Sequence, residues 1–340
     1  MRTALFIGGT GTISAAITRF VATDATWQLY VLNRGNRGSV LPQNVRTIQA
    51  DINEVEAVRA GIAGLRFDCV VDFIGMRPEH VERDFQLFRH CTSQYIYISS
   101  ASAYNKPVRN YIIDEGTSLA NPYWEYSRQK IACEELLMKH YREDGFPITI
   151  VRPSHTYDER KLPVGVHGKH GSWQVARRML AGKPVIVQGD GTSLWTLTHN
   201  TDFARAFVGL MGNPHALGEA FQITSDESLT WNQIYHIIAD SLGVELKAYH
   251  VASEFLAAVS DYDYRGGLLG DKANTVVFDN TKLKRVVPGF QATVKAADGL
   301  RNTVSHILSH PECQLEDPEF DEWCDRVVAT LEQAKSVLQK

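Results

Sequence analysis

The stretch Leu5-Phe6-Ile7-Gly8-Gly9-Thr10-Gly11-Thr12-Ile13-Ser14 decides how this chain is read. An apolar run ends in a glycine-rich turn, and the turn opens into a helical pattern carried by Ala15, Ala16, Ile17, Phe20 and Val21. A strand, a tight turn and a helix N-terminus in succession grip a phosphate with backbone N–H groups and the helix dipole. Backbone that crowds a pyrophosphate needs residues without a Cβ, and Gly8, Gly9 and Gly11 supply them. The glycines admit two spacings, Gly9-x-Gly11-x-x-Ser14 and Gly8-x-x-Gly11-x-x-Ser14. Both end on Ser14, where close helix–strand packing usually takes glycine.

Outward from this turn, the N-terminal half alternates strand-like and helix-like patterns, which predicts an α/β fold with a doubly wound parallel sheet. Strands are expected at Gln28–Leu32, Val45–Gln49, Cys69–Gly75, Tyr95–Ile98 and Ile148–Val151. A helix carries Val55, Val58 and Ile62 on one face, Pro78 suits the first turn of another, and a long helix is expected from about Tyr123 to Tyr141. Asp51, Gly75 and Ser100 fall just beyond strand carboxyl ends, where such sheets line their ligand crevice. After Pro153 the pattern changes. Ser154–Gly171, rich in His, Gly and Lys, reads as a mobile binding loop or crossover. Short strands (Val185–Val187, Ala220–Ile223, Glu245–Tyr249) then alternate with helices (Trp173–Ala181, Thr201–Met211, Trp231–Leu242) in a smaller mixed lobe. Tyr262–Gly270 reads as a flexible loop, and Asp317–Gln339 as an amphipathic helix. The expected division is residues 1–153, with possible returning segments, then 154–316, then a C-terminal helix in 317–340.

Hydrophobic content of 44% and charged content of 22% are those of an ordinary globular protein. A net charge of −4 offers no global attraction to nucleic acid or anionic lipid. The five cysteines are scattered, odd in number and without CxxC spacing, which argues against a disulfide framework or a zinc site and suits a reducing cytoplasm. With the first strand starting beside Met1 and no apolar run of spanning length, the expectation is a cytoplasmic protein without a membrane segment. The histidines near the expected cleft lack metal spacing, and no metal is expected.

The chemistry is expected at Tyr126-Ser127-Arg128-Gln129-Lys130, because residues i and i+4 share a helix face. A tyrosine acting as a base at neutral pH needs its pKa lowered by roughly 3 units, about 4 kcal/mol. A lysine ammonium one turn away and a cationic ring nearby both favour the phenolate. Ser100, at a strand end, is the candidate hydroxyl that holds the reacting oxygen.

Gly8-Gly9-Thr10-Gly11-Thr12-Ile13-Ser14, Ile98-Ser99-Ser100-Ala101-Ser102-Ala103-Tyr104, the Tyr126–Lys130 pair and Val151-Arg152-Pro153 together resemble the extended short-chain dehydrogenase/reductase family, in its nucleotide-sugar epimerase/dehydratase group. The resemblance spans about residues 1–310. It implies a Rossmann lobe binding NAD or NADP, a smaller substrate lobe, a homodimer, and a sugar-like substrate. It places the catalytic hydroxyl on Ser100, the acid/base on Tyr126 and its partner on Lys130. It also selects the Gly8-x-x-Gly11-x-x-Ser14 register, with cofactor contacts implied at Gly8, Thr10, Gly11, Thr12, Ile13, Ser99, Tyr126 and Lys130. Asp51-Ile52 matches the pair that contacts the adenine, and Phe73-Ile74-Gly75 the stretch under the ribose and pyrophosphate. Pro153-Ser154-His155 matches the segment beside the nicotinamide. Met76, Ser102, Tyr104, His155, Trp195 and His199 are the substrate-contact candidates.

Two departures from the family pattern carry information. The position that holds Asp or Glu in NAD-selective enzymes is Asn33, followed by Arg34 with Arg37 nearby. A guanidinium pairs with a 2′-phosphate, so the expectation is NADP, with NAD the alternative. Trp195 stands where sugar-nucleotide epimerases usually carry a diphosphate-gripping arginine. The Asn33-Arg34-Gly35 loop and Leu194-Trp195-…-Thr198-His199 also resemble an atypical branch that includes the chloroplast stem-loop-binding proteins, associated with RNA. The rival reading is a Rossmann-fold RNA-binding protein with a vestigial redox site, drawing on the basic stretch Lys161–Lys169.

Overall fold

The computed structural model describes residues 1–35 and 41–339. Seven strands form one parallel sheet: β1 (Arg2–Ile7), β2 (Trp27–Asn33), β3 (Arg46–Gln49), β4 (Cys69–Asp72), β5 (Tyr95–Ile98), β6 (Ile148–Pro153) and β7 (Ala220–Ile223). Their spatial order is β7-β6-β5-β4-β1-β2-β3. Strand order reverses beside β1, which pairs with β2 on one side and β4 on the other. The register sets Ile7 opposite both Leu32 and Asp72, so the carboxyl ends line up along one edge and a crevice opens there. The central strands are apolar and buried over their whole length, as expected of a sheet covered on both faces.

Helices α1 (Thr12–Thr23), α2 (Val55–Gly61), α3 (Pro78–Phe88) and α4 (Glu125–Asp144) cross over between these strands. α3 starts with proline in its first turn, and α4 stops at Gly145, whose φ of +68° ends the helix in the left-handed region. α1 packs with the helix Asn200–Leu210 through Ile17, Val21, Phe203 and Phe207, covering one face of the sheet. The other face carries Val58, Val81, Phe85 and Leu137.

The second half of the chain is not a separate lobe throughout. Ala220–Ile223, expected in the smaller lobe, instead joins the main sheet as edge strand β7, parallel to β6. The smaller lobe has its own core of Leu162, Val164, Val166, Trp195, Trp231 and Tyr235. Ser154–Gly171 is therefore tethered rather than loose: His155–Tyr157 pairs with Leu197–His199, and Leu162, Val164 and Val166 are buried. The strand expected at Glu245–Tyr249 forms at Ala248–Val251, parallel to Val185–Gln188. Tyr262–Gly270, expected as a flexible loop, runs into a π-helix at Arg265–Lys272, with Gly266 and Gly270 packed against Trp124. Its glycines allow that close approach, which composition alone reads as looseness. The last helix, Pro318–Leu338, is clasped to Trp173–Leu180 by the Arg178 guanidinium, which reaches Asp321 at 2.7 Å and Asp325 at 2.8 Å. No helix among the described residues is long and apolar enough to cross a membrane.

Candidate active site

The glycine turn is held by its own residues. Gly8 has a φ of +87°, and a Cβ there would lie 2.5 Å from Ile74 Cγ2, so both backbone and space require glycine. Ser14 Oγ accepts the Gly11 N–H at 2.8 Å and donates to the Gly8 carbonyl at 2.8 Å. Its hydroxyl ties the turn together, which is why serine serves where the family usually has glycine. Thr12 and Ile13 begin α1, so intrahelical bonds cannot reach their N–H groups. Those groups border a cavity of about 550 Å³ whose lining also includes Asn33, Arg34, Asp51, Ile52 and Phe73. A strained glycine, exposed helix N–H groups and a cleft of this size fit a dinucleotide. Arg34 Nη1 lies 3.9 Å from an Asp51 carboxylate oxygen, both being solvent-accessible. Arg37, expected as a second cation here, lies outside the described residues.

His80 and Arg83 also line the cavity and were not expected there. Arg83 is fixed by Asp84 at 2.8 Å and the Asn53 side-chain oxygen at 2.7 Å. Nothing in the local spacing of α3 marks it, because the cavity wall forms only when α3 packs beside the loop after β3.

Beyond Phe73, the Asp72 carboxylate accepts the N–H groups of Ile74 (2.8 Å) and Gly75 (2.9 Å), turning the chain sharply at the end of β4. A Cβ on Gly75 would strike Asp72 Oδ2. The Gly75 carbonyl accepts the Lys130 ammonium at 2.6 Å, and Ile98 O accepts it at 2.8 Å. Lys130 is only 2% exposed, and burial lowers its pKa to about 8. Its Nζ lies 5.8 Å from the centre of the Tyr126 ring. Burial raises the Tyr126 pKa, a hydrogen bond with Ser100 opposes the rise, and Asp271 reinforces it. The structure thus brings Ser100, Tyr126 and Lys130 together at the carboxyl end of β5.

Several other expected residues are placed differently. The Ser99 side chain turns away from the cleft to the Glu134 carboxylate, which also holds Arg152 at 2.6 Å. Tyr104 is 0% exposed with its hydroxyl on Gln222 at 3.0 Å, so it supports the core and does not face a substrate. Ser102 is buried, its hydroxyl shared between Ser100 and Ser127. His199 Nδ1 caps the helix Asn200–Leu210 and bonds the Thr201 hydroxyl at 2.8 Å. Trp195 is 2% exposed and stacked on Trp231 at 5.4 Å, so its indole face is not offered to a ligand. Met76, by contrast, is 43% exposed at the rim.

Trp195 acts through His155. Its Nε1–H points at His155 Nδ1 at 2.9 Å. An indole N–H only donates, so Nδ1 is the acceptor and the neutral ring carries its proton on Nε2. Burial and the nearby charges of Lys272 and Lys161 push the His155 pKa well below the usual histidine range. Trp231 in turn donates to the Lys272 carbonyl at 2.9 Å, joining the π-helix to this wall. Among the described residues no cluster of His, Cys, Asp or Glu has the makings of a metal site.

The comparisons with known proteins agree with this geometry. Residues 4–224 match the model of the NAD dependent epimerase/dehydratase family. The chain is 26% identical over 300 residues to a 2'-dehydrokanamycin reductase of Streptomyces kanamyceticus, covering 84% of this chain and 79% of that protein. It is 25% identical over 253 residues to the chloroplast stem-loop binding protein of 41 kDa b of Arabidopsis thaliana, covering 70% of this chain and 63% of that one. A UDP-glucuronic acid 4-epimerase from Bacillus cereus, solved in complex with NAD, superposes with a TM-score of 0.70 at 17% identity, over 90% of this chain and 99% of that one. The fold is therefore the Rossmann type expected from the sequence, and the chain, an NAD(P)-dependent enzyme, belongs to the NAD-dependent epimerase/dehydratase family.

Proposed function

We propose that the enzyme uses NADP to move a hydride at a hydroxyl- or carbonyl-bearing carbon of a sugar or sugar nucleotide, with Tyr126 as acid/base. The observation that carries this reading is the meeting of Tyr126, Ser100 and Lys130 at the crevice edge. The Thr12 and Ile13 N–H groups face the pyrophosphate, Asp51 and Ile52 the adenine, and Lys130 the nicotinamide ribose. When bound, the nicotinamide ring accepts or supplies the hydride. Tyr126 takes the proton of the substrate hydroxyl in one direction and returns it in the other. Burial disfavours its phenolate and the Ser100 hydrogen bond favours it; the positive charge of Lys130, 5.8 Å from the ring centre, adds to the effect of Ser100. Ser100 holds the reacting oxygen, and His155 presents its Nε2–H as a neutral donor to the substrate.

Asn33 and Arg34 at the end of β2 support NADP over NAD. Arg34 is largely exposed and only loosely paired, so it is available to a 2′-phosphate. The likeness to a kanamycin-related reductase admits an amino sugar, whereas Lys161 and Lys272 beside His155 favour a substrate bearing negative charge. We further read the enzyme as a cytoplasmic homodimer. The RNA-binding alternative draws on the likeness to the stem-loop binding protein. Against it, Lys169 in the basic stretch is already paired with Glu319 at 3.2 Å. Binding of a structured RNA at low salt, weakened by charge reversal at Lys161, is the result that would favour it.

The test is cofactor oxidation or reduction with a panel of UDP-linked sugars, free sugars and amino sugars, using the wild type and Tyr126→Phe. Turnover should fall at least about a thousandfold in the variant with cofactor affinity within about twofold. Near-normal turnover in Tyr126→Phe overturns the assignment.

A further inference from the structure

Three serine hydroxyls beside Tyr126 form a directed chain. Ser127 Oγ donates to Ser102 Oγ at 2.8 Å, and the Oγ atoms of Ser102 and Ser100 are 2.8 Å apart. A hydroxyl has one proton to give and two lone pairs to receive with. Ser102 receives the proton of Ser127, and Ser100 Oγ is the one acceptor among the described residues within reach of its own proton, so that proton goes to Ser100. Ser100 Oγ also accepts the Ser102 backbone N–H at 3.2 Å. Both of its lone pairs are then engaged, and only its O–H remains to make a bond. The far end of the chain is closed, because Ser127 is 0% exposed and Ser102 is buried.

We infer that Ser102 and Ser127 are positioning residues that make Ser100 a donor only, so that its one proton is always presented, to the Tyr126 phenolate or to the reacting oxygen. The inference rests on the acid/base role proposed for Tyr126. A donor-only Ser100 bonds the ionised tyrosine and has no lone pair free for the neutral phenol's proton, so the chain favours the form that acts as base. The chain also polarises in one direction, each hydroxyl strengthening the next. With no route to water at Ser127, it cannot carry a proton away. The other groups facing Tyr126 are Lys130 on its own helix, Tyr97 on β5 and Asp271 on the π-helix, and none of them touches the three serines.

The test is a pH titration by NMR of protein labelled with ¹³C at tyrosine Cζ and saturated with NADP⁺, or NAD⁺ if that is what it retains. The Tyr126 signal is the one lost in Tyr126→Phe. Ser100→Ala, Ser102→Ala and Ser127→Ala should each raise the Tyr126 midpoint, Ser102→Ala by about threefold or more in Ka. Ser102→Thr, which keeps the hydroxyl, should restore it. A purely structural role would lower the melting temperature and leave the midpoint in place, which would overturn the inference. A shift in Ser100→Ala with none in Ser102→Ala or Ser127→Ala likewise overturns it, while leaving the Tyr126–Ser100 pair intact. No shift even in Ser100→Ala overturns the acid/base reading as well. Should Ser102→Ala fail to fold, Ser127→Ala carries the same test, since it removes only the outer end of the chain.

Discussion

The cofactor side and the substrate side of the cleft are made of different materials. On the cofactor side the working parts are backbone: the Gly8 turn, the N–H groups opening α1, and the Asp72-braced bend at Gly75. The hydrogen bonds that set their conformation are short in sequence, Ser14 to Gly8 and Gly11, and Asp72 to Ile74 and Gly75. On the side proposed for the substrate, the wall is a relay of side chains anchored on one carbonyl, Trp231 on Lys272 O, Trp195 on Trp231 and His155 on Trp195, drawn from segments far apart in the chain. A backbone-built site tolerates no Cβ at its tight points but is indifferent to most neighbouring side chains. A side-chain relay can be retuned one residue at a time. That difference suits a family with one cofactor chemistry and many substrates.

The contrast can be broken by experiment. Gly8→Ala should have the largest effect, because the methyl meets Ile74 and the left-handed backbone costs about 1–2 kcal/mol. Cofactor affinity should drop by at least about 30-fold in calorimetry; a loss below threefold would mean the turn is less tightly built than described. Arg34→Ala should weaken NADP about tenfold while changing NAD by less than about twofold. Equal losses for both cofactors would remove the 2′-phosphate role. Trp195→Phe keeps the ring stack but deletes the N–H, and should raise KM about threefold to tenfold with cofactor binding unchanged. Burial and the Lys272 charge stay in place in that variant, so His155 should remain neutral and the KM increase should be the same across neutral pH. An unchanged KM would show that the indole does not position His155.

The smallest effect concerns stability. Burial and the Lys161 charge lower the His167 pKa to about 4. In the unfolded chain His167 takes up its proton near pH 6.5, so its contribution is complete above that value and is lost as pH falls toward 4. His167→Leu should flatten the acid-side slope of unfolding free energy by about 1 kcal/mol across that window, read from urea melts at several pH values. An unchanged slope would place the titration elsewhere.

The same division explains what could be read from the sequence. The strand–turn–helix at Gly8, the i,i+4 pair Tyr126–Lys130 and the strand end at Ser100 are local patterns; the turn lines the cavity, and Lys130 reaches the Ile98 carbonyl at its edge. Ser14 looked like an irregularity because its function is a bond to a carbonyl six residues back, which a motif position does not reveal. Trp195 has its hydrogen-bond partner His155 40 residues away, so its contact is legible only in the packing. Tyr104 and Ser102 follow Ser100 closely in sequence, but the short 3₁₀ turn at Ala101–Ala103 rotates them into the interior. Arg83 and the edge strand Ala220–Ile223 depend on long-range assembly and leave no local trace.

One feature of the fold bears on the order in which the chain matures. The parallel sheet is completed only when residue 223 has paired with β6, and Trp173–Leu180 receives its clasp only when Asp321 and Asp325 arrive at Arg178. During synthesis from the N-terminus, the glycine turn and α1 can form long before either event. The edge of β6 stays open in the interval, and the arginine's positive charge waits without a counter-charge for some 140 residues more. The glycine turn is thus laid down first, gains its packing partner for α1 at Asn200–Leu210, and the C-terminal helix closes the Arg178 clasp last, so a chain stopped short of Asp321 would keep the turn and lose that clasp.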